Sequence, residues 1–393
     1  MFDTGKSIRG KDSKSTKRQP VRLTNLSRRD FIRMAGLGAV GIGIAACGGG
    51  PPITTAAPAT TTTAAPTTTA GPPLAGVRCG ISQWVQAGVH DEIIDAIRLY
   101  QETAGTGMDV ETVLDAGGDG VKQVTDAEAF ITQNFDGAFI FNIQPEGWED
   151  WGQRAQDAGL ITITWTSWFP TTTQFIQVDN VGAGFGVAEA AAEWFQEKKG
   201  GKGKWALFEL TSIPALTART LAMEVKMAEL LPDVELVGKA EAYSNQTGVD
   251  GGASLIQAHP DLDAILCFND DGMLGAQVAA LEAGRDDPDD FWLGGVDAIA
   301  GALDEMKKGT SIVQASASFL FGASGALASM EMAAALQGES IPTWRNQTAL
   351  IVDAENVEEY IADTADPMNQ KIWDQYSIPY NRPFNPETDV GLL

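Results

Sequence analysis

From Gly76 onward, short apolar runs alternate with amphipathic stretches. Residues 77–82 read as a strand, and 91–103 as a helix whose Ile93, Ile94, Ile97 and Leu99 gather toward one side. The rhythm continues through a strand at 109–114, a helix at 121–134, a strand at 137–142, a helix at 147–158 and strands at 161–165 and 175–178. It then starts again. Helices at 183–198, 216–230, 249–258 and 274–284 separate strands at 204–210, 235–242, 264–268 and 291–296. Alternation with short connections predicts parallel sheets covered by helices, and two units of similar size predict an α/β body of two lobes.

Upstream of this body the pattern changes. Residues 51–74 are almost entirely Thr, Ala and Pro without a hydrophobic period, which predicts an extended linker at ~3.1 Å per residue. Earlier still, Ser27-Arg28-Arg29-Asp30-Phe31-Ile32-Arg33 precedes an apolar run at 34–46 rich in Gly and Ala, followed by Cys47. Thirteen residues are too few to span a ~30 Å hydrocarbon layer. The paired arginines resemble a twin-arginine export signal, and the small residues before Cys47 resemble a bacterial lipoprotein box. An ordinary secretion signal with an incidental cysteine is the alternative. The resemblance implies that 1–46 is a signal, that Cys47 is lipidated and that 47–75 is a disordered tether. The body would then be exported and held at the outer face of the cytoplasmic membrane or in the periplasm.

The charge balance sharpens once this address is set aside. Ten of the 27 basic residues lie in 1–46, leaving 17 basic against 49 acidic residues and a net charge of −32. Such a surface repels nucleic-acid phosphates, so no nucleic-acid partner is expected. Cys79 and Cys267 sit in apolar strand-like runs and read as small buried hydrophobes.

Catalytic and cofactor signatures fail on context. Gly36-Leu-Gly38-Ala-Val-Gly41 matches the dinucleotide fingerprint but lies inside the signal, with no strand before it. Gly182-Ala-Gly184-Phe-Gly186 follows a strand but lacks the third glycine at the required place. Gly322-Ala-Ser324-Gly325 misses the nucleophile elbow by one position. His259 sits at a helix end before Pro260, a structural setting, and His90 opens a helix near the strand ends without a zinc partner. No enzyme activity, metal or cofactor is expected.

A set of ordered segments points elsewhere. Gln177-Val178-Asp179-Asn180-Val181-Gly182, Ala218-Arg219, Ala258-His259-Pro260-Asp261-Leu262-Asp263-Ala264-Ile265, Phe268-Asn269-Asp270 and Leu293-Gly294-Gly295-Val296-Asp297-Ala298 resemble the type I periplasmic solute-binding proteins of the ribose/galactose class. Leu350-Ile351-Val352-Asp353-Ala354-Glu355-Asn356-Val357 resembles that family's closing strand, so the likeness spans about 76–359. It implies two Rossmann-like lobes joined by a three-crossing hinge, the first from 76–178 plus about 316–345, the second from 179–315 plus about 346–393 with its tail. By the same resemblance Arg219, Asn269 and Asp297 are ligand-bonding groups of the second lobe, Tyr243 is an aromatic wall and Gln314 a hinge contact.

The residue chemistry at the strand ends suits that implication. Ligands of parallel sheets meet the carboxyl ends of strands, where this chain places Trp84, Asn142, Trp165, Thr166, Ser167 and Trp168, with His90 nearby. Amides, carboxylates and guanidinium suit hydroxyls, and aromatic faces suit sugar C–H surfaces. Several of these residues equally suit structural roles: Asp297 as a helix cap with Asp270 beside Asn269, Arg219 in a surface ion pair, and Tyr243, Trp165 and Trp168 as core. Where ribose and galactose binders show an Asp-Arg pair, this chain has Thr166-Ser167, which suits a different sugar, a polyol or a less polar molecule. The expected role is lipid-anchored capture of a sugar-like ligand for an ABC permease. The rival readings are a sensor feeding a chemoreceptor or histidine kinase, and a secreted enzyme.

Overall fold

The computed structural model describes residues 74–386, apart from Ala87, Ile143 and Pro145, together with Asp389. The export signal, Cys47 and nearly all of the Thr/Ala/Pro stretch lie outside the described residues.

The first run of the rhythm forms β1 (Arg78–Gln83), α1 (Gly88–Ala104), β2 (Asp109–Asp115), α2 (Gly120–Thr132), β3 (Gly137–Asn142), α3 (Trp148–Asp157), β4 (Ile161–Thr166) and β5 (Gln174–Val178). The second forms α4 (Asn180–Lys199), β6 (Gly203–Glu209), α5 (Pro214–Leu230), β7 (Val234–Glu241), α6 (Asn245–Ala258), β8 (Ala264–Cys267), α7 (Asp270–Glu282), β9 (Trp292–Val296), α8 (Ala300–Met306) and β10 (Val313–Ser318). Then come α9 (Phe321–Leu336), β11 (Trp344–Gln347), β12 (Leu350–Asp353), α10 (Val357–Thr364), α11 (Gln370–Tyr376) and β13 (Ser377–Tyr380).

Helices begin upstream of the apolar period because side chains cap them. Asp179 accepts from Gly182 N at the start of α4, Ser244 and Thr247 form a capping box on α6, and Asn269 accepts from Gly272 N on α7. Each such cap satisfies an orphan amide and contributes about 1 kcal/mol.

The strands assemble into two sheets, ordered β13-β11-β5-β4-β3-β1-β2 and β12-β10-β9-β8-β6-β7. All pairings are parallel except β13 on β11 and β12 on β10. Helices cover both faces, as buried parallel strands require. In the first sheet, α1 and α9 bring Ile93, Ile97 and Met332 onto Phe139 and Phe141, while α2 and α3 bring Phe130, Trp148 and Trp151 onto Ala138 and Ile140. In the second, α4 and α5 pack on Leu207 and Leu266, and α6 and α7 on Ile265 and Cys267. Cys79 and Cys267 are free and buried.

The chain passes between the sheets after Val178, after Ser318 and after Gln347. Residues 316–318, expected in the first lobe, belong to the second sheet, because β10 stays paired with β9 and β12 to its end. The tail also departs from its expected place in the second lobe. Ser377–Tyr380 returns to pair with β11, adding a fourth passage, and Trp344 stacks on Tyr380 at 3.9 Å. Pro379 is tolerated there because β13 is an edge strand.

Candidate ligand-binding cleft

Every passage out of a parallel strand leaves from its carboxyl end: β5, β10 and β11 all lead across to the other sheet. The carboxyl edges of both sheets therefore meet at the hinge, where loops of open α/β sheets bind ligands. Backbone strain concentrates at the same edges. Of the non-glycine residues with positive φ, Thr166 (71°) ends β4, Asp297 (115°) and Ala298 (52°) follow β9, and Leu320 (55°) follows β10. Thr166 sits in a three-residue turn closed by Ser167 N donating to Trp165 O at 2.8 Å. For a β-branched residue that is a costly conformation, of the kind that clusters at binding sites.

In the second lobe the chemistry converges on Arg219, which is 5% exposed. Its Nε donates to Asn180 Oδ1 at 3.0 Å, at the start of α4. Its Nη1 donates to the Phe268 carbonyl at the end of β8 and lies 3.8 Å from Asp297 Oδ1 at the end of β9. The guanidinium also stands 5.3 Å from the centre of the Phe319 ring. This approach depends on glycine: a Cβ on Gly184 would fall 2.2 Å from the Arg219 carbonyl oxygen, so only glycine lets α4 lie this close to α5. That is the role of Gly184, the middle glycine of the run that resembled a dinucleotide loop.

Asp297 does not cap α8, whose N-cap is Ile299. Burial pushes its carboxyl up to about 7, against the opposing pull of Arg219 and with Asp271 and Glu92 adding to the rise. Asp270, expected to share the capping role, is turned fully inward instead. It accepts from Ser316 Oγ at 2.8 Å and Ile299 N at 3.0 Å, and burial drives its pKa well up.

The first lobe supplies aromatic and amide groups. His90 Nδ1 donates to the Val85 carbonyl at 2.7 Å, and the imidazole stacks on Phe141 at 5.3 Å. A carbonyl only accepts, so the proton sits on Nδ1 and leaves Nε2 as an acceptor. Burial lowers the His90 pKa, outweighing the Val85 carbonyl and the Asp91 and Asp115 charges, so the ring is neutral at pH 7. Asn142 is fully buried with neither amide atom hydrogen-bonded among the described residues, and Trp84 Nε1, Ser82 Oγ and Gln83 Oε1 also lack partners there. Buried polar atoms without partners cost about 1–3 kcal/mol each, so such a row at the ends of β1 and β3 is what a ligand's hydroxyls would satisfy.

Four sequence candidates lie elsewhere or are already engaged. Trp165 is 2% exposed in the core, its Nε1 donating to Ser324 Oγ at 3.0 Å, because it shares the inward face of β4 with Ile163. Trp168 packs beside Phe384, Phe175 and Trp344 at the amino ends of β5 and β11. Gln314 lies at the amino end of β10, donating to Pro288 O at 2.8 Å, a strand's length from the cleft edge. Asn269 uses Oδ1 to cap α7 and Nδ2 to hold the Tyr243 carbonyl at 3.0 Å. Tyr243 itself is 56% exposed, not core. Glu92, Asn180 and Phe319 were not sequence candidates. Glu92 Oε1 accepts from Gly322 N at 2.9 Å, a contact between residues 230 apart that no local pattern reveals.

Two helix-flanked parallel sheets, joined at their carboxyl edges around a buried charged pair, define a two-lobed binding protein. The periplasmic binding protein domain model matches residues 86–340, and the chain belongs to that family. The ribose import binding protein of Bacillus subtilis strain 168 is 28% identical over 215 residues, spanning 54% of this chain and 68% of that protein. An ABC transporter solute binding protein from Mycobacterium smegmatis, solved with bound glycerol, is 25% identical with TM-score 0.63, covering 72% of this chain and 96% of that one. One from Bacillus halodurans C-125 with bound myo-inositol shares the fold at 23% identity and TM-score 0.64, covering 73% and 98%. These relatives are transport binding proteins, and the family is extracytoplasmic.

Proposed function

We propose that this protein captures a sugar or polyol-like ligand between its lobes and delivers it to an ABC importer, tethered to the membrane by a lipid on Cys47. The observation that carries the reading is the convergence of Arg219, Asp297 and Asn180 from separate strands and helices at the carboxyl edge of the second sheet, with the unpartnered polar atoms of Trp84 and Asn142 at the carboxyl edge of the first. The polyols bound in the relatives' structures support the ligand class. Contacts made only when both lobes touch the ligand supply the free energy of closure, and the closed form is what a permease recognises. Screening sugars and polyols by thermal shift tests it: stabilisation by at least one is expected, and none at millimolar concentration would overturn the reading. Mass spectrometry of acid-released N-terminal peptides tests the anchor, a diacylglyceryl mass on Cys47 being expected and an unmodified Cys47 contradicting it.

A further inference from the structure

The cleft is short of positive charge. From the first lobe, Glu92 is fixed by Gly322 N at the start of the sixteen-residue α9, a position that favours an anion. Gly325 permits this by letting α9 close on α1, since a Cβ there would fall 2.5 Å from Ile93 O. Glu92 is thereby tied to the same stretch that holds the second-lobe acid, since Asp297 N donates to Ala317 O at 2.7 Å and Ser318 Oγ bonds Tyr360 Oη at 2.8 Å, a few residues before Gly322. Among the described residues, the cation paired with Asp297 is Arg219, already shared with the Phe268 carbonyl and Asn180. Glu92 and Asp271 form no ion pair among the described residues. The first-lobe arginine that the ribose/galactose pattern would provide is absent, Thr166-Ser167 standing in its place. His90, neutral, adds a further acceptor rather than a charge.

We propose that the cleft selects a ligand bearing a protonated amine, an amino sugar or amino polyol, with Glu92 and Asp297 receiving the ammonium from opposite lobes and Asn142 serving its hydroxyls. The inference rests on the sugar- or polyol-binding reading above. Closure draws Glu92 toward Asp297 while removing water, which like charges resist unless a proton or a cation comes between them. Glu92 and Asp271 are exposed before ligand enters, so closure is the step that takes their charges out of water, and an ammonium entering between the lobes offsets that cost. A neutral sugar leaves that repulsion in place, and a sugar acid adds to it. Asn142, fully buried at the carboxyl end of β3 with its amide unpartnered, is the independent sign that a hydroxyl-bearing group belongs at this edge.

Titration calorimetry at pH 7 with D-glucosamine, D-glucose and D-glucuronate, and with the matching galacto and manno series, tests the choice of charge. In the scaffold that fits, the amine should bind about tenfold or more tightly than its neutral parent, with the acid weakest, and the advantage should shrink as salt is raised. Glu92→Gln should cut the ratio of amine to neutral affinity several-fold. A neutral parent that binds as tightly as its amine overturns this proposal and leaves the solute-binding reading standing. Absence of binding by every sugar of the panel overturns this proposal, and the solute-binding reading falls with it only if the wider thermal-shift screen of sugars and polyols is also blank.

Discussion

Replacing Asp297 with Asn should make the ligand-free protein more stable at alkaline pH. The reason is the environment at the end of β9, where burial holds the carboxyl at about 7 against an ordinary 3.8 despite Arg219 at 3.8 Å. The folded value lies above the unfolded one, so ionisation opposes folding: the cost is absent below pH 3.8, grows toward pH 7 and is full above it. At ~1.36 kcal/mol per tenfold change in proton affinity, that cost is about 4 kcal/mol at pH 8 and under about 1 kcal/mol at pH 4. The pull of Arg219 is already contained in that figure, and the side chain keeps only 19% exposure, so screening trims it modestly. Asn is nearly isosteric and tolerates the positive φ of 115° as well as Asp does. Urea unfolding followed by circular dichroism should therefore show Asp297→Asn stabilised by about 2–4 kcal/mol at pH 8, with the gain vanishing at pH 4. Calorimetry on the same variant should show at least tenfold weaker ligand binding, stability traded against function. A variant less stable than the parent at pH 8, or a gain independent of pH, would refute the reasoning.

Four other variants test how the site and the core around it are held. Gly184→Ala forces α4 away from the Arg219 carbonyl, so stability should fall by about 1–3 kcal/mol in urea unfolding, with a loss of ligand affinity alongside. Trp84→Phe should remove most of the ligand-induced change in tryptophan fluorescence, while Trp165→Phe, altering a buried ring bonded to Ser324, should leave that change in place. Trp373→Ala removes a ring that is 6% exposed under the returning tail and donates to Pro367 O, and should cost about 3–5 kcal/mol by urea unfolding.

The body's architecture was legible because its hydrophobic periods are strong: residues 137–142 match a strand whose six residues are all buried. Helix starts were less legible. The apolar period places α6 at Val249 and α7 at Leu274, whereas Ser244 and Asn269 cap these helices five residues earlier. The site was visible only in part. Polar residues at strand ends direct attention to the carboxyl edges where the chain passes between the sheets, but Trp165 follows Ile163 on an inward face, a period-two signal that competes with its position at a strand end. Gln314 failed on register, since one strand's length separates the two edges of a sheet. Glu92 depends on an amide 230 residues away, and the returning β13 on a pairing with β11, so neither leaves a local trace.

The central claim is that ligand closes two lobes hinged at their carboxyl edges. Spin labels on Val121→Cys, which is 79% exposed at the start of α2, and Gln246→Cys, exposed at the start of α6, would report the span between lobes in a Cys47→Ser background. Cys79 and Cys267 are buried with strongly raised thiol pKa values and should remain unlabelled. Electron–electron resonance should show the distance shortening by several ångströms when a sugar that binds by calorimetry is added. An unchanged distance under saturating ligand would contradict the account.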